Sequence, residues 1–223
     1  MNKPKHISHL SGKRIVISLL IFLMIPVMRE IVFRLVHDYT LAYTFALNLA
    51  GFLLLVYDWN LFGIHYNRAK SNLLNTLIYT LVGIVFIGLW LWVDLSFLHA
   101  DILISSAEST SSYAFGSPAI MLAFSFVQGL IINISFKCMT DHMNIHDREL
   151  IVILVSGFLF GLIYTLVFMT SFDIPLLVRT YLYNVVLVSI LSYLYNQSTS
   201  FIPGVLAFGF VMLAVQLMNF LAL

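Results

Sequence analysis

Long apolar runs, broken by short polar segments, dominate the chain. Seven of them approach or reach the roughly 20 residues that a helix needs to cross a bilayer. They lie at about 15–36, 40–57, 72–93, 118–138, 150–171, 175–195 and 201–222. None alternates polar and apolar residues as a membrane β-strand does. Lipid offers the backbone no hydrogen-bond partners, so runs of this kind must close their own bonds as helices. The pattern predicts an all-α, polytopic transmembrane helix bundle of about seven spans, with an N-terminal tail over 1–14 and a single transmembrane domain over 15–223. Seven such helices use up most of the chain, which leaves any chemistry in or at the membrane.

Composition narrows this further. Of 223 residues, 61% are hydrophobic and 9% are charged, against about 45–50% and about 25% in soluble domains. A water-soluble globule and a disordered chain are both excluded. The net charge of +1 gives no reason to expect nucleic acid as a partner. The single cysteine, Cys138, excludes an internal disulfide and a Cys-rich metal cluster.

Lys3, Lys5, Lys13 and Arg14 precede the first apolar run, in the manner of a signal peptide. That run continues through Pro26 into Arg29 and Glu30 with no small-residue cleavage site, which predicts an uncleaved first span. Lysines and arginines then set the orientation. With the N-terminus inside, Lys3, Lys5, Lys13, Arg14, Arg68, Lys70, Lys137 and Arg148 all fall on inner segments, and the outer loops hold none. The N-terminus is therefore expected in the cytoplasm. The longest outer loop, about 94–117, carries Asp94, Asp101, Glu108 and the serine-rich stretch 105–112, and is expected to be a flexible cap or a short surface helix.

Ionisable residues within a membrane are costly, which makes each a candidate for function. Arg29 and Glu30 point about 100° apart on a helix, whereas Glu30 and Arg34, four apart, can pair along it. Arg179 and Asp94 fall at the same outer level. A cluster of Arg29, Glu30, Arg34, Asp94 and Arg179 is expected there, either as a site for a partner or lipid headgroup, or as snorkelling arginines around a structural ion pair. Asn48, Gln128, Asn133, Asn184 and Gln216 read as hydrogen-bonding glue between helices, and Gly157 with Gly161 as a close helix contact.

The histidines give no catalytic pattern. None lies within a span, and His65 falls in an inner loop. His142 and His146, four apart beside Asp141 and Asp147, offer two metal ligands on a helical turn but no third at a fixed spacing. The chain has no Walker-type phosphate loop, no Gly-x-Ser-x-Gly elbow and no His-Glu-x-x-His helix. Cys138 has no histidine near it in sequence to make it a nucleophile.

The last hundred residues carry three segments with a familiar frame. Ala-Phe-Ser-Phe-Val-Gln-Gly (123–129) has the frame of Glu-Glu-x-x-x-Arg-Gly. Phe-Gly-Leu-Ile-Tyr (160–164) has that of Phe-Gly-Leu-x-His. Ser-Phe-Ile-Pro-Gly-Val-Leu-Ala-Phe-Gly-Phe-Val-Met (200–212) has that of a turn and Pro-containing helix start leading into His-x-x-x-Asn. In these segments the chain resembles the CPBP family, the CAAX-protease and bacteriocin-processing membrane proteins, over a core of about 118–215. In active members of that family the glutamates and histidines form an intramembrane site that activates water for peptide hydrolysis, with metal dependence inferred.

Every functional position departs from the family pattern. The glutamate pair falls on Ala123 and Phe124, the arginine on Gln128, the histidines on Tyr164 and Phe208, and the asparagine on Met212. None of these supplies the positioned acid and base that hydrolysis needs. The resemblance implies a pseudoprotease whose former site is filled by aromatic rings, with no cofactor and no metal. It implies a protein of the bacterial plasma membrane that binds membrane lipids and a membrane or cell-surface protein, such as a cell-wall enzyme or a sensor kinase. Self-immunity against a bacteriocin is the alternative. Less favoured are a peptidase recruiting Tyr164, Gln128 or Glu30, and a small transporter subunit, for which Pro26 would be one helix break without a counterpart.

Overall fold

The structure is a computed structural model that describes residues 12–100, 149–169 and 172–221. Among these it is helical, with no strand: α1 (Gly12–Leu23), α2 (Ile25–Val36), α3 (Tyr39–Tyr57), α4 (Trp59–Ser71), α5 (Leu73–Val93), α6 (Glu149–Phe168), α7 (Ile174–Ser198) and α8 (Ile202–Leu221), with a π-helical turn at Asp94–Leu98 extending α5. Four stretches are long and apolar enough to cross a membrane: Gly12–Val36, Leu73–Leu98, Leu150–Phe168 and Ile174–Ser198. The bent pair α3–α4 makes a fifth if it counts as one span, and the apolar part of α8 is shorter, Ile202–Val215. The chain is thus a membrane protein with four to five span-capable helices among the described residues. The run expected at 118–138 lies outside them, as do the serine-rich stretch 105–112, Asn133, Cys138, His142 and His146.

Local sequence explains where the helices begin and end. Pro26 has no N–H to give to Phe22, so the first span breaks pitch at Met24 but continues as α2. His37 ends α2 in the left-handed region (φ 57°). The next residue, Asp38, caps α3 by accepting the Leu41 N–H at 3.0 Å. Asp173 does the same for α7, accepting from Leu176 at 3.3 Å, with Pro175 in the first turn, where its missing N–H costs nothing.

One segment departs from the sequence expectation. Residues 58–71 were expected as an inner loop, yet 59–71 form α4, turned 82° from α3 at Asp58. The helix is short and polar, too weakly apolar to register as a span. Leu61, His65 and Ala69, spaced four apart, still give it one face to bury.

The bundle shares one apolar core. Phe22, Ile25, Leu47, Leu54, Ile87, Phe160, Tyr164, Leu191 and Phe208, from seven of the eight helices, belong to a single cluster. A smaller cluster of Ile15, Phe201 and Val205, with Phe62 against it, joins α1, α4 and α8. Outside, large apolar side chains stay exposed along the spans: Leu35 is 76% exposed, Leu74 73% and Ile174 78%. An apolar exterior of this extent is stable only against lipid.

The tightest helix contact is between α6 and α7. A Cβ on Gly161 would sit 2.9 Å from both the Cα and the backbone nitrogen of Val185, and one on Gly157 would collide with the Ser189 hydroxyl. Here the Gly157/Gly161 pair serves contact within the chain, backbone against backbone, as small residues do between membrane helices. Asn184 adds a hydrogen bond across the same interface, donating to Thr165 Oγ1 at 3.1 Å. Gly161→Ala must push α7 away and is expected to cost about 1–3 kcal/mol. Gly88→Ala, which would meet nothing within 4 Å, should be neutral or gain up to about 1 kcal/mol. Thermal unfolding of the two variants in mild detergent checks the contrast.

Candidate functional site

The three described positions of the family frame are all in the core. Tyr164 is 1% exposed, Phe208 1% and Met212 4%, within one apolar cluster. The Tyr164 ring stacks on Phe168 (centroids 5.4 Å, 14° between planes) and meets Phe22 edge-on at 5.0 Å. Phe160, which opens the Phe-Gly-Leu frame, lies 6.4 Å from the same ring. Edge-to-face and offset packing of this kind stabilises a core beyond the area it buries. Ala123, Phe124 and Gln128 lie outside the described residues.

The five charged residues expected together near the outer surface take up different roles. Glu30 and Arg34 pair at 3.0 Å, both exposed. Arg29 turns inward instead. Its Nη1 donates to the Met169 carbonyl at 3.3 Å, and its guanidinium lies 5.6 Å from the centroid of the buried Tyr43 ring. Arg179 is half-buried and leans back along its own helix, Nε to the Pro175 carbonyl at 3.4 Å. Asp94 is 1% exposed, and its carboxylate accepts the Ala100 N–H at 3.1 Å. It closes the π-helical turn rather than joining a surface cluster. Arg34 remains as an exposed cation with Glu30 beside it, and Arg179 as a half-buried one.

The polar centre that the sequence reading missed lies at the opposite end, at the bend. Asp58 is fully buried. Unlike Asp38 and Asp173 it does not cap the helix that follows it. Its Oδ2 accepts the Ser18 hydroxyl of α1 at 2.7 Å. Burial pushes the Asp58 carboxyl above the usual carboxylate range, an effect that the Ser18 bond and the charge of Arg14, one turn earlier on α1, offset only in part, while Oδ1 has no hydrogen-bond partner among the described residues. His65, also fully buried, packs its ring against Phe201 (4.7 Å) and Tyr195 (5.8 Å). Its carbonyl accepts the Ser200 hydroxyl at 3.0 Å, and Arg68 Nη1 reaches the Thr199 carbonyl at 3.4 Å. These contacts fasten α4 to α1 and to the α7–α8 turn. The sequence held two signals for them: an acid interrupting an apolar run with no basic neighbour, and buried positions four apart after it.

Among the described residues no group of three His, Cys, Asp or Glu side chains could hold a metal ion. No protein-family model, no curated protein and no solved structure matches the chain.

A buried carboxylate is costly unless hydrogen-bonded, and a hydrogen bond to a charged group contributes about 1.5–3 kcal/mol, against about 0.5–1.5 for a neutral one. Ser18→Ala should therefore destabilise the protein by about 2 kcal/mol, and by less when made in an Asp58→Asn background. A double-mutant cycle on thermal unfolding measures the difference.

Proposed function

We propose that this is a non-catalytic membrane protein of pseudoprotease type, which binds and positions or regulates a membrane or cell-envelope partner protein. The reading carries with it a degenerate CPBP-like core over about 118–215, about seven spans and a cytoplasmic N-terminus in a bacterial plasma membrane. One observation supports it above others. Tyr164, Phe208 and Met212, where the resemblance would put two histidines and an asparagine, are packed into apolar core. Hydrolysis needs a positioned acid and base in contact with water, and side chains enclosed among Phe22, Phe160 and Phe168 supply neither. What such a chain can offer a substrate or partner is surface, and the exposed Arg34 with the half-buried Arg179 are the groups through which a partner would be recognised.

A mild-detergent pull-down from native membranes, read by mass spectrometry, tests this. One near-stoichiometric envelope enzyme or kinase is the expected result. Arg34→Gln with Arg179→Gln should lower its recovery about tenfold or more, the equivalent of losing one charge-assisted contact, without lowering the melting temperature. An empty pull-down, together with bacteriocin sensitivity on deletion, would overturn the reading in favour of immunity.

A further inference from the structure

We propose that α4, with the start of α1, forms a binding surface for anionic phospholipid headgroups. The inference needs only that the bundle sits in a membrane and is independent of any protein partner. The 82° bend at Asp58 turns α4 across the end of the bundle. A helix of 13 residues that includes Asn60, His65, Asn67, Arg68, Lys70 and Ser71 cannot cross hydrocarbon. It can lie at the boundary, as amphipathic interfacial helices do.

The faces of α4 are sorted accordingly. Leu61, His65 and Ala69 are buried against the bundle. Opposite them Asn60, Asn67 and Lys70 are exposed. One flank carries an aromatic ladder: Trp59 lies 5.9 Å from Phe62, which lies 6.3 Å from Tyr66, with the planes close to parallel in both pairs. Trp59 is 60% exposed and Tyr66 52%. Exposed tryptophan and tyrosine are the side chains that settle at headgroup depth.

Charge selects the ligand class. Lys13 and Arg14 at the start of α1 join Arg68 and Lys70 at this end of the bundle, with Ile15 and Phe62 sharing the small cluster that brings α1 and α4 together. Asp58 is the acid with a described side chain at this end, and it is buried on Ser18 beside Arg14. Glu30, Asp38, Asp94 and Asp173 belong to the other end. Among the described residues, none of Lys13, Arg68 and Lys70 forms an ion pair. Arg68 gives one of its five N–H donors to Thr199, at the long distance of 3.4 Å. Its planar fork suits a phosphodiester, and Lys70 adds an unfixed point charge. The aromatic flank, continuous with the apolar exterior, favours a lipid over an acidic protein segment.

The full chain in mild detergent is titrated with phosphatidylglycerol or phosphatidylcholine of the same acyl composition, with bound lipid counted by native mass spectrometry and thermal unfolding followed in parallel. Phosphatidylglycerol should bind preferentially and raise the melting temperature more. Each charge removed should cut that preference about five-fold at low salt, so R68Q/K70Q should lose most of it, and K70R should keep it. Lys70 is exposed and K70Q folds on any reading, so K70Q alone carries the test if R68Q disturbs the α4 anchor. Equal binding of the two lipids, or a K70Q variant with full preference, overturns the proposal. A shift of the same size from inorganic phosphate would make this a soluble-anion site and overturn the lipid assignment.

Discussion

A helix end within a bilayer, or at its edge, must find partners for backbone groups that water would otherwise satisfy, and the bend at Asp58 meets this constraint in two ways at once. The main chain keeps helical bonds through the turn: the Asp58 N–H donates to Leu54 at 2.8 Å, and its carbonyl accepts from Phe62 at 3.0 Å. That frees the carboxylate from capping, and it crosses to α1 instead. The first helix is thereby pinned where the second span ends. The same turn sets the direction of α4, whose buried face meets Phe201 and the Ser200 hydroxyl. The start of α8 follows from that, since Phe201 and Val205 lie in the cluster with Ile15. Loss of the Ser18–Asp58 bond would therefore loosen three elements.

The far side of the bundle rests on close approach rather than on charge. Without side chains at 157 and 161, α6 and α7 touch through their backbones. This contact sets the inward face of α6, where Phe160, Tyr164 and Phe168 line up, against Phe22 of α1. A buried catalytic centre would need polar groups here, each paired at a cost to stability. Rings and a thioether at Tyr164, Phe208 and Met212 remove that cost. On the proposed pseudoprotease reading, this is the packing that a fold without a catalytic centre would take.

Much of the fold was legible in the sequence because membrane solvation leaves few choices. Apolar runs near 15–36, 72–93, 150–171 and 175–195 correspond to the four clear spans. The Asp173–Pro175 start of α7, the Glu30–Arg34 pair and the glycine contact follow from local rules of spacing. What was not legible depends on tertiary direction. A polar segment after a span looks like a loop whether or not one face of it is later buried, so α4 was missed and His65 with it. Asp94 lay at the right level for a surface cluster, but its carboxylate was taken by a backbone N–H six residues on. Position along the membrane normal can be read from sequence; which way a side chain turns at that level cannot.

The two ends of the bundle divide their charges differently, and this bears on what each can bind. At the far end, aspartates are consumed as caps and closures: Asp38 on Leu41, Asp173 on Leu176, Asp94 on Ala100. Arg29 is drawn inward to Met169 and Tyr43. Of the other basic side chains described there, Arg34 is held by Glu30 in an i,i+4 pair, and the half-buried Arg179 by a 3.4 Å bond to a carbonyl. An exposed pair of that kind contributes only about 0.3–0.5 kcal/mol, so an incoming carboxylate can displace Glu30 at little cost. At the α4 end Asp58 is buried, while Lys13 and Lys70 are exposed and Trp59 and Tyr66 stand exposed on the flank of α4. On the two proposals, one end would offer guanidinium groups to a protein, and the other a cationic, aromatic-flanked surface to lipid. A lipid-seated α4 would also fix the height of the bundle in the bilayer, and with it the level at which Arg34 and Arg179 would meet the proposed partner.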